Sequence, residues 1–219
     1  MNLTIQNTVD GSKTVYSDVF QETYHSVNGA VTESIHVFID AGFKACQKNP
    51  AQIFEVGFGT GLNAFLTLIE SEKLNIKIEY QSIELFPLGS IEFEQLKYSR
   101  YLNSDEKTFK ALHNAPWNKK TEITPDFQLY KIKENLLDYS FTDSYDLVYF
   151  DAFSPSRQPE LWSEDVFGKL FENMNENGIL TTYCAKGAVR RILEKVGFKV
   201  ERLSGPPGKR EMLRAIKLK

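Results

Sequence analysis

The sequence holds little cysteine: Cys46 and Cys184 are the two among 219 residues. Two widely separated thiols provide neither a disulfide framework nor the paired spacing of a metal site, so we expect buried thiols in a reducing compartment and no bound metal. No apolar run approaches the roughly 20 residues of a membrane span, and the first residues lack the basic start and apolar core of a signal peptide. These absences predict a cytoplasmic protein that makes no membrane contact.

Internal repeats and low-complexity linkers are also missing, so nothing divides the chain into smaller units. Its composition, 42% hydrophobic and 25% charged, is ordinary for a globular fold. A length of 219 residues suits one α/β core. We therefore predict a single domain over residues 1–219. No pattern indicates an oligomeric state.

Apolar runs alternate with helical stretches in the manner of a parallel α/β sheet. The predicted strands are Ile53–Val56, Ile78–Ile83, Phe127–Ile132, Leu147–Phe150, Gly178–Cys184, Phe198–Leu203 and Met212–Leu218. The predicted helices lie near Ser34–Cys46, Leu62–Ile69, Ser90–Tyr98, Glu164–Asn173 and Ala188–Val196. Residues 204–209 are too few for a crossover helix, so the last two strands should pair antiparallel. A mostly parallel sheet with an antiparallel terminal strand is the outline of the Rossmann-like class I methyltransferases, which use S-adenosylmethionine (SAM).

Two segments fall outside that outline. Residues 1–30 are predicted to form an N-terminal hairpin extension around Asp10–Gly11, because Asp-Gly is a frequent hairpin turn. Residues 88–125 form an insertion between the second and third core strands. Both are expected to lie outside the parallel sheet.

The most specific motif is Glu55–Gly61 (EVGFGTG), which joins a predicted strand to a predicted helix. Its alternating glycines leave bare backbone at a βα turn, where a nucleoside-containing cofactor approaches closely. We expect a side chain at Gly57 or Gly59 to block that approach. A dinucleotide fingerprint needs its third glycine where Leu62 stands. The spacing instead resembles the SAM turn of class I methyltransferases, with a carboxylate two residues before the first glycine.

Polar side chains follow the next two predicted strands. Glu84, at the end of the second strand, can accept both hydroxyls of an enclosed ribose, and its charge disfavours a 2′-phosphate. Glu134 and Asn135 follow the third strand, where either one can accept the adenine amino group. We therefore predict that these residues bind the cofactor.

Asp151 follows an apolar strand and should face the same crevice as the glycine turn. An alkylamine is mostly ammonium at neutral pH, since the reference pKa of lysine is about 10.4. A carboxylate can orient that ammonium and accept its proton, so Asp151 is the predicted catalytic residue for transfer to nitrogen. Phe153 can stack on a planar base, and Pro155 can stiffen the loop. The alternatives are that Asp151 is a helix N-cap or turn aspartate and that Phe153 packs in the hydrophobic core.

The segment from Lys186 to Lys219 contains 11 Lys/Arg and 3 Asp/Glu, although the whole chain has a net charge of −3. The C-terminal segment is therefore basic and the rest of the chain acidic. Such a segment provides either solvated strand and helix faces or an anion-binding surface.

Several ordered blocks resemble one family. Asp151–Trp162 (DAFSPSRQPELW) resembles the D-G/A-F-x-P-x-x-x-P-x-x-W signature of the MnmC-type tRNA wobble-uridine methyltransferases. Further blocks similar to that family are Tyr24–Ser34, Glu55–Asn63, Glu84–Pro87, Gly187–Arg191, Val196–Phe198 and Gly208–Leu213. Leu85 stands where the family carries lysine.

The resemblance implies methyl transfer from SAM to the exocyclic amine of 5-aminomethyl-2-thiouridine at the tRNA wobble position, giving 5-methylaminomethyl-2-thiouridine. It implies that the cofactor contacts are Glu55, Gly57, Phe58, Gly59, Gly61, Asn63, Glu84, Leu85, Glu134 and Asn135. Bifunctional members of the family also carry a FAD-dependent oxidoreductase domain. We expect this chain to be the single-domain form without it, so that another enzyme supplies the amine.

A tRNA substrate also accounts for the basic segment, because clustered Lys and Arg neutralise phosphates. Lys186, Arg190, Lys209 and Arg210 are the predicted contacts with the anticodon stem-loop, with Phe153 and Pro155 at the base. One alternative is a SAM-dependent enzyme acting on a small-molecule amine, which the acidic body favours. Another is a cofactor-binding module without catalysis. A dinucleotide oxidoreductase is disfavoured by the position of Leu62.

Overall fold

The chain begins with a small antiparallel sheet. The computed structural model describes residues 2–218, the side chain of Ile91 excepted. The strands are β1 (Leu3–Asn7), β2 (Lys13–Ser17) and β3 (Glu22–Thr23), and they lie in that order. The turn between β1 and β2 contains Gly11 at φ 85°, a conformation that favours glycine.

A helical segment leads from this sheet to the core. It consists of α1 (Ala30–Ser34), a π-helix over Ile35–Phe43 and α2 (Lys44–Cys46). Gly42 allows the segment to lie close to the central sheet, because a Cβ there would be 3.2–3.3 Å from side-chain atoms of Thr181 and Tyr149. The helix predicted to begin near Ser34 thus begins at Ala30, and its middle part is a π-helix rather than an α-helix.

The central sheet has eight strands. They are β4 (Ala51–Val56), β5 (Ile78–Ile83), β6 (Lys120–Thr124), β7 (Phe127–Ile132), β8 (Tyr145–Phe150), β9 (Met174–Thr182), β10 (Lys199–Ser204) and β11 (Glu211–Ile216). Their order is β10-β11-β9-β8-β4-β5-β7-β6. The five strands β4, β5, β7, β8 and β9 are parallel, whereas β11 pairs antiparallel with both β9 and β10. The predicted fold class is confirmed.

Two features of the sheet differ from the prediction. β6 pairs antiparallel with β7 and was not predicted, because its sequence, KTEIT, is short and largely polar. β9 begins at Met174 rather than Gly178, since Met174 pairs with Tyr145 on the neighbouring strand. Neither change alters the carboxyl edge of the sheet.

The other helices are α3 (Leu62–Leu74), α4 (Ser90–Leu96), α5 (Tyr98–Tyr101), α6 (Glu106–Asn114), α7 (Glu164–Glu172) and α8 (Gly187–Val196), with a 3₁₀ turn at Pro159–Trp162. Phe65 of α3 and Phe167 of α7 are fully buried in two separate hydrophobic clusters. Within residues 2–218, no helix is long and apolar enough to cross a membrane.

The insertion at residues 88–125 forms α4, α5, α6 and β6. Helix α6 was not predicted; it begins after Asp105, whose side chain accepts hydrogen bonds from the backbone N–H groups of Lys107 and Thr108. The Phe109 ring of α6 packs 5.1 Å from the Phe65 ring of α3, measured between centroids. The insertion therefore lies beside the helix that follows the glycine turn.

Candidate functional site

A cavity of about 270 Å³ opens at the carboxyl ends of β4, β5 and β8, the edge at which open α/β sheets bind ligands. It brings together most of the residues chosen from the sequence: Gly57, Phe58, Gly59, Asn63, Glu84, Leu85, Glu134, Asn135, Asp151 and Phe153. The chosen residues that do not line it are Glu55, Gly61, Pro155, Lys186, Arg190, Lys209 and Arg210.

The turn between β4 and α3 needs glycine for its own packing. Gly57, Gly59 and Gly61 have φ values of 91°, 47° and 69°, a region that favours glycine. A Cβ at Gly57 would lie 2.9 Å from the carbonyl oxygen of Asp151, and one at Gly59 would lie 3.0 Å from the Tyr24 ring. These glycines therefore serve the packing of the turn itself, and the blocking of the cofactor by a side chain at Gly57 or Gly59 stays a prediction.

The insertion supports the back of this turn. His113 of α6 donates from Nε2 to the carbonyl oxygen of Thr60 at 3.1 Å, and its ring lies edge-on to Phe58 with 5.4 Å between centroids. Burial lowers the pKa of His113 to about 3, so the imidazole is neutral at neutral pH. A Cβ at Gly61 would lie 2.7 Å from Nε2 of His113. The third glycine thus makes room for the insertion.

Glu55 lies beneath the turn and is fully buried. Its Oε2 accepts a hydrogen bond from Ser82 Oγ at 2.7 Å. Its Oε1 and Asn63 Oδ1 are buried and have no hydrogen-bond partner among the described residues, although Asn63 lies near the carboxyl group. Burial raises the pKa of Glu55 to about 8, so the carboxyl is protonated at neutral pH. Two polar atoms beside the turn therefore remain unpartnered.

Glu84 is fixed by backbone hydrogen bonds. Its Oε2 accepts from Gly59 N at 3.1 Å and its Oε1 from Phe86 N at 2.8 Å, while burial raises its pKa. Each oxygen retains capacity to accept a further hydrogen bond. The side chain of Asn135 accepts from Leu137 N at 3.1 Å, so its amide oxygen is partly committed to the local turn.

Asp151 lines the cavity next to the glycine turn, and its backbone N–H donates to Val56 O at 3.1 Å. Its Oδ2 accepts from Asn63 Nδ2 at 2.8 Å. Burial raises the pKa of Asp151 to about 7, while the Asn63 hydrogen bond opposes that shift. Nearby Glu33 raises this pKa further and Lys209 lowers it. The carboxyl group therefore changes protonation near neutral pH.

The loop after Asp151 is held through its carbonyl groups. Tyr183 OH donates to Ala152 O at 2.9 Å, and Trp162 Nε1 donates to Phe153 O at 2.8 Å. The Phe153 ring is stacked on Phe20, with 4.3 Å between centroids and 19° between planes. Phe153 therefore belongs to an aromatic group at the cavity rather than to the core.

Lys209, one of the predicted contacts with the anticodon stem-loop, is paired with a carboxylate. Its Nζ lies 2.5 Å from Glu33 Oε1 and 4.0 Å from the centroid of the Tyr183 ring. The Glu33 side chain is only 8% exposed. A nearly buried carboxylate needs a partner, and the hairpin loop supplies it.

The other predicted basic residues differ in ion pairing and exposure. Arg190 forms an ion pair with Glu194 at 3.4 Å on α8. Lys186 and Arg210 are exposed. Lys186 follows β9 and Arg210 precedes β11, which is antiparallel to β9, so both lie at the carboxyl edge that carries the cavity.

Sequence reasoning missed the contribution of the N-terminal segment to the cavity, where Phe20, Tyr24 and His25 form part of the lining. His25 Nε2 contacts Thr60 Oγ1 at 2.6 Å, and burial lowers its pKa to about 4. Tyr24 and His25 stand in a block that resembles the family, which was the available signal. A hairpin pattern alone does not indicate where the hairpin docks.

The fold and the site together define a Rossmann-like cofactor-binding domain, with a glycine turn after its first core strand and a carboxylate after the second. A family model described as "S-adenosyl-L-methionine-dependent methyltransferase" matches residues 94–218. The chain belongs to this family of SAM-dependent methyltransferases, so its cofactor is SAM.

Individual relatives agree with that membership. The chain is 30% identical to the tRNA 5-methylaminomethyl-2-thiouridine biosynthesis bifunctional protein MnmC of Burkholderia thailandensis, over 91% of this chain and 33% of that protein. It is 31% identical to MnmC of Leptospira borgpetersenii, with the same coverage. The chain thus spans about a third of the length of these relatives. The crystal structure of MNMC2 from Aquifex aeolicus superposes with a TM-score of 0.78 at 27% identity, covering 100% of this chain and 71% of that one.

Proposed function

We propose that this chain transfers the methyl group of SAM to the exocyclic amine of 5-aminomethyl-2-thiouridine at the tRNA wobble position, giving 5-methylaminomethyl-2-thiouridine. The observation that carries the proposal is the position of Asp151, a carboxyl with a pKa near neutrality that lines the same cavity as the glycine turn. The names of the relatives supply the nucleoside. A cytoplasmic location follows from a tRNA substrate.

The residues at the turn fit SAM. Glu84 has acceptor capacity left for two ribose hydroxyls. Asn63 lines the cavity, and its Oδ1, which has no hydrogen-bond partner among the described residues, provides a polar atom for the methionine part of the cofactor. Leu85 and Leu136 line an apolar section of the cavity that suits the adenine ring. When bound, SAM supplies an electrophilic methyl group on a sulfonium sulfur.

Residues 134 and 135 complete the adenine end of the proposed site. Both Glu134 and Asn135 line the cavity, and the exposed Glu134 carboxylate is free to accept from an exocyclic amino group. Asn135 retains its amide N–H donors, because its oxygen is the atom that accepts from the backbone of Leu137. Glu134 is therefore the better acceptor of the two predicted residues.

Asp151 prepares the amine. A primary ammonium group has no free electron pair and must lose a proton before nitrogen can bond to carbon. Asn63 occupies Asp151 Oδ2, and Oδ1 has no donor among residues 2–218, so Oδ1 is available to the ammonium. A carboxylate whose pKa is near 7 is a stronger base than a free aspartate with a pKa near 3.8. The N–H proton passes to Asp151, and the nitrogen keeps the electron pair with which it would bond to the methyl carbon. The methyl–sulfur bond would break at the same time, leaving its electron pair on sulfur in the neutral thioether product.

The exposed cations at the carboxyl edge provide the proposed RNA contacts. Lys186 and Arg210 are solvent-exposed beside the cavity edge, and Arg190 lies on the helix that begins there. They would neutralise phosphates of the anticodon stem-loop, whose unpaired wobble base can leave the loop stack at small cost. Lys209 would act differently, by holding Glu33 close to Asp151.

Transfer of labelled methyl from SAM tests this proposal and its runner-up together. Wild-type protein should label tRNA that carries 5-aminomethyl-2-thiouridine, and the rate should fall as salt rises. Fully methylated tRNA is the matched control, since it has the same phosphates but no unmodified primary amine. Labelling of small primary amines with no labelling of either tRNA would reject the tRNA substrate in favour of a small-molecule methyltransferase.

A further inference from the structure

Phe20 occupies a position that the cofactor does not explain. It lies on the turn between β2 and β3, outside the methyltransferase sheet, and its ring lines the cavity. It is stacked face to face on Phe153, the residue predicted to contact the substrate base. We propose that Phe20 is a substrate-binding residue, and that the target nucleobase enters between the Phe20 and Phe153 rings. This inference rests on the proposed function.

The present ring separation requires movement of one ring. The Phe20 and Phe153 centroids are 4.3 Å apart, which is close to direct contact. A planar base between two rings needs a separation of about 7 Å, twice the roughly 3.5 Å contact distance between carbon atoms. One ring must therefore shift by about 3 Å when the base binds.

Phe153 is the ring that stays in place. Its carbonyl oxygen accepts from Trp162 Nε1 at 2.8 Å, its N–H donates to Gln158 Oε1 at 3.0 Å, and Tyr24 packs against its edge with 4.9 Å between centroids. Tyr24 itself donates its backbone N–H to Val15 O at 2.8 Å. These contacts anchor the Phe153 backbone and one edge of its ring.

The backbone of the turn that carries Phe20 is tied to the rest of the N-terminal sheet, because Asp18 N donates to Asn2 O at 3.2 Å and Asn2 N donates to Asp18 Oδ1 at 2.8 Å. Phe20 N donates to Ser17 Oγ at 3.3 Å, and Gln21 Nε2 donates to Asp18 O at 2.7 Å. Val19 beside it is 59% exposed. These hydrogen bonds hold the backbone and the polar side chains of the turn but not the Phe20 ring, whose ring neighbours are Phe153 and, tilted at 6.1 Å, Phe86. The shift is therefore a rotation of the Phe20 side chain rather than a movement of the turn.

The residue after the turn is anchored to the catalytic loop. Glu22 Oε2 accepts from both the backbone N and the Oγ of Ser154, at 3.1 and 2.8 Å. Glu22 thus ties the residue after the turn to Ser154, the neighbour of Phe153, and holds the segments of Phe20 and Phe153 side by side. The arrangement keeps the Phe20 ring beside Phe153, where it can stack on a base bound against Phe153.

Stacking on both faces selects for a planar ring. Each base face placed against an aromatic ring gains stacking affinity, whereas an aliphatic amine has no flat face that both rings can cover. The two-ring site therefore favours a nucleobase amine over a small aliphatic amine. The selectivity would come from an element that lies outside the SAM-binding sheet.

The test compares Phe20→Ala and Phe20→Leu with Phe20→Tyr, and uses Val19→Ala on the same turn as the control. Stacking predicts that the Ala and Leu variants raise the KM for aminomethyl-uridine tRNA at least about tenfold. The Tyr and Val19 variants should stay within about twofold of wild type. SAM affinity by calorimetry should be unchanged in all four, because the cofactor contacts lie elsewhere. The Phe20→Leu variant is decisive, because leucine retains much of the apolar side-chain volume of phenylalanine but has no aromatic ring.

A second readout follows the ring itself. Phe20→Trp should show tryptophan fluorescence quenching on addition of substrate tRNA, beyond the change seen in wild type. Wild-type KM in Phe20→Leu, or no additional quenching in Phe20→Trp at saturating tRNA, would overturn the role of Phe20 while leaving methyl transfer intact. Failure of wild-type protein to methylate the tRNA would instead overturn the proposed function and this inference with it.

Discussion

The two walls of the cavity are held in different ways. The proposed cofactor wall, which includes residues 57–60 and 84–85, is fixed by backbone hydrogen bonds at strand ends, such as Gly57 N to Ile83 O at 2.9 Å. The proposed acceptor wall, which includes Phe20, Tyr24, Asp151 and Phe153, is joined by side chains far apart in the chain, such as Glu22 with Ser154. The sheet therefore determines the first wall, whereas the second depends on docking of an added element.

The largest predicted effect separates the chemistry from cofactor binding. Asp151→Asn should lower kcat by about 10²- to 10⁴-fold, the usual contribution of a general base, while the Kd for SAM stays within a few-fold. Glu160→Gln is the control, because Glu160 is another acidic residue of the cavity lining. Steady-state kinetics and calorimetry measure both quantities. Wild-type turnover in Asp151→Asn would remove this residue from the mechanism.

The next prediction concerns Gly61, where the insertion packs against the glycine turn. Gly61→Ala should weaken SAM binding by about tenfold, because left-handed backbone costs an alanine roughly 1–2 kcal/mol and the new Cβ would press on His113. The KM for tRNA should change little. Combining it with His113→Ala should cost less than the sum of the two single changes, since the obstructing ring is gone. Additive losses in SAM affinity would show that the insertion does not support the turn.

A smaller effect is expected at the basic edge. The double variant Lys186→Ala/Arg210→Ala should weaken tRNA binding by about tenfold. It should also reduce the slope of the logarithm of the binding constant against the logarithm of the salt concentration by about 1–2, because phosphate contacts are lost. Lys77→Ala is the control, because Lys77 precedes β5 at the opposite edge of the sheet. Binding titrations at several salt concentrations provide the measurement. An unchanged salt slope would exclude these two side chains from RNA contact.

The smallest predicted effect concerns stability. The pKa of Asp151 is raised from 3.8 to about 7 in the folded state, so ionisation of this carboxyl destabilises the fold progressively as pH rises through that window. Asp151→Asn removes this cost and should raise Tm at pH 8 by at least about 2–4 °C, because a pKa change of one is worth about 1.4 kcal/mol and about 1 kcal/mol moves Tm by roughly 2–4 °C in a chain of this size. No gain is expected at pH 4. Thermal melts of the SAM-free protein at both pH values measure it, and an equal gain at both would contradict a titrating carboxyl.

The sequence was informative about the cofactor wall because its residues follow strands directly. Glu84 and Asp151 could be placed in one crevice from strand ends alone, since the carboxyl ends of parallel strands share an edge. Phe20 and His113 could not be placed there, because local patterns do not specify where a hairpin or an insertion packs. The Lys209 and Glu33 pair joins residues 176 positions apart, so a charge count could not reveal it.

The position of the transferred methyl group tests the central claim most directly. Substrate tRNA would be incubated with SAM carrying a ¹³C-methyl group, digested to nucleosides and analysed by fragmentation mass spectrometry. The predicted result is a single labelled methyl on the aminomethyl nitrogen of the wobble nucleoside, absent with Asp151→Asn. Label on a ring atom, on a ribose oxygen or on a different nucleoside would contradict transfer to an amine prepared by Asp151.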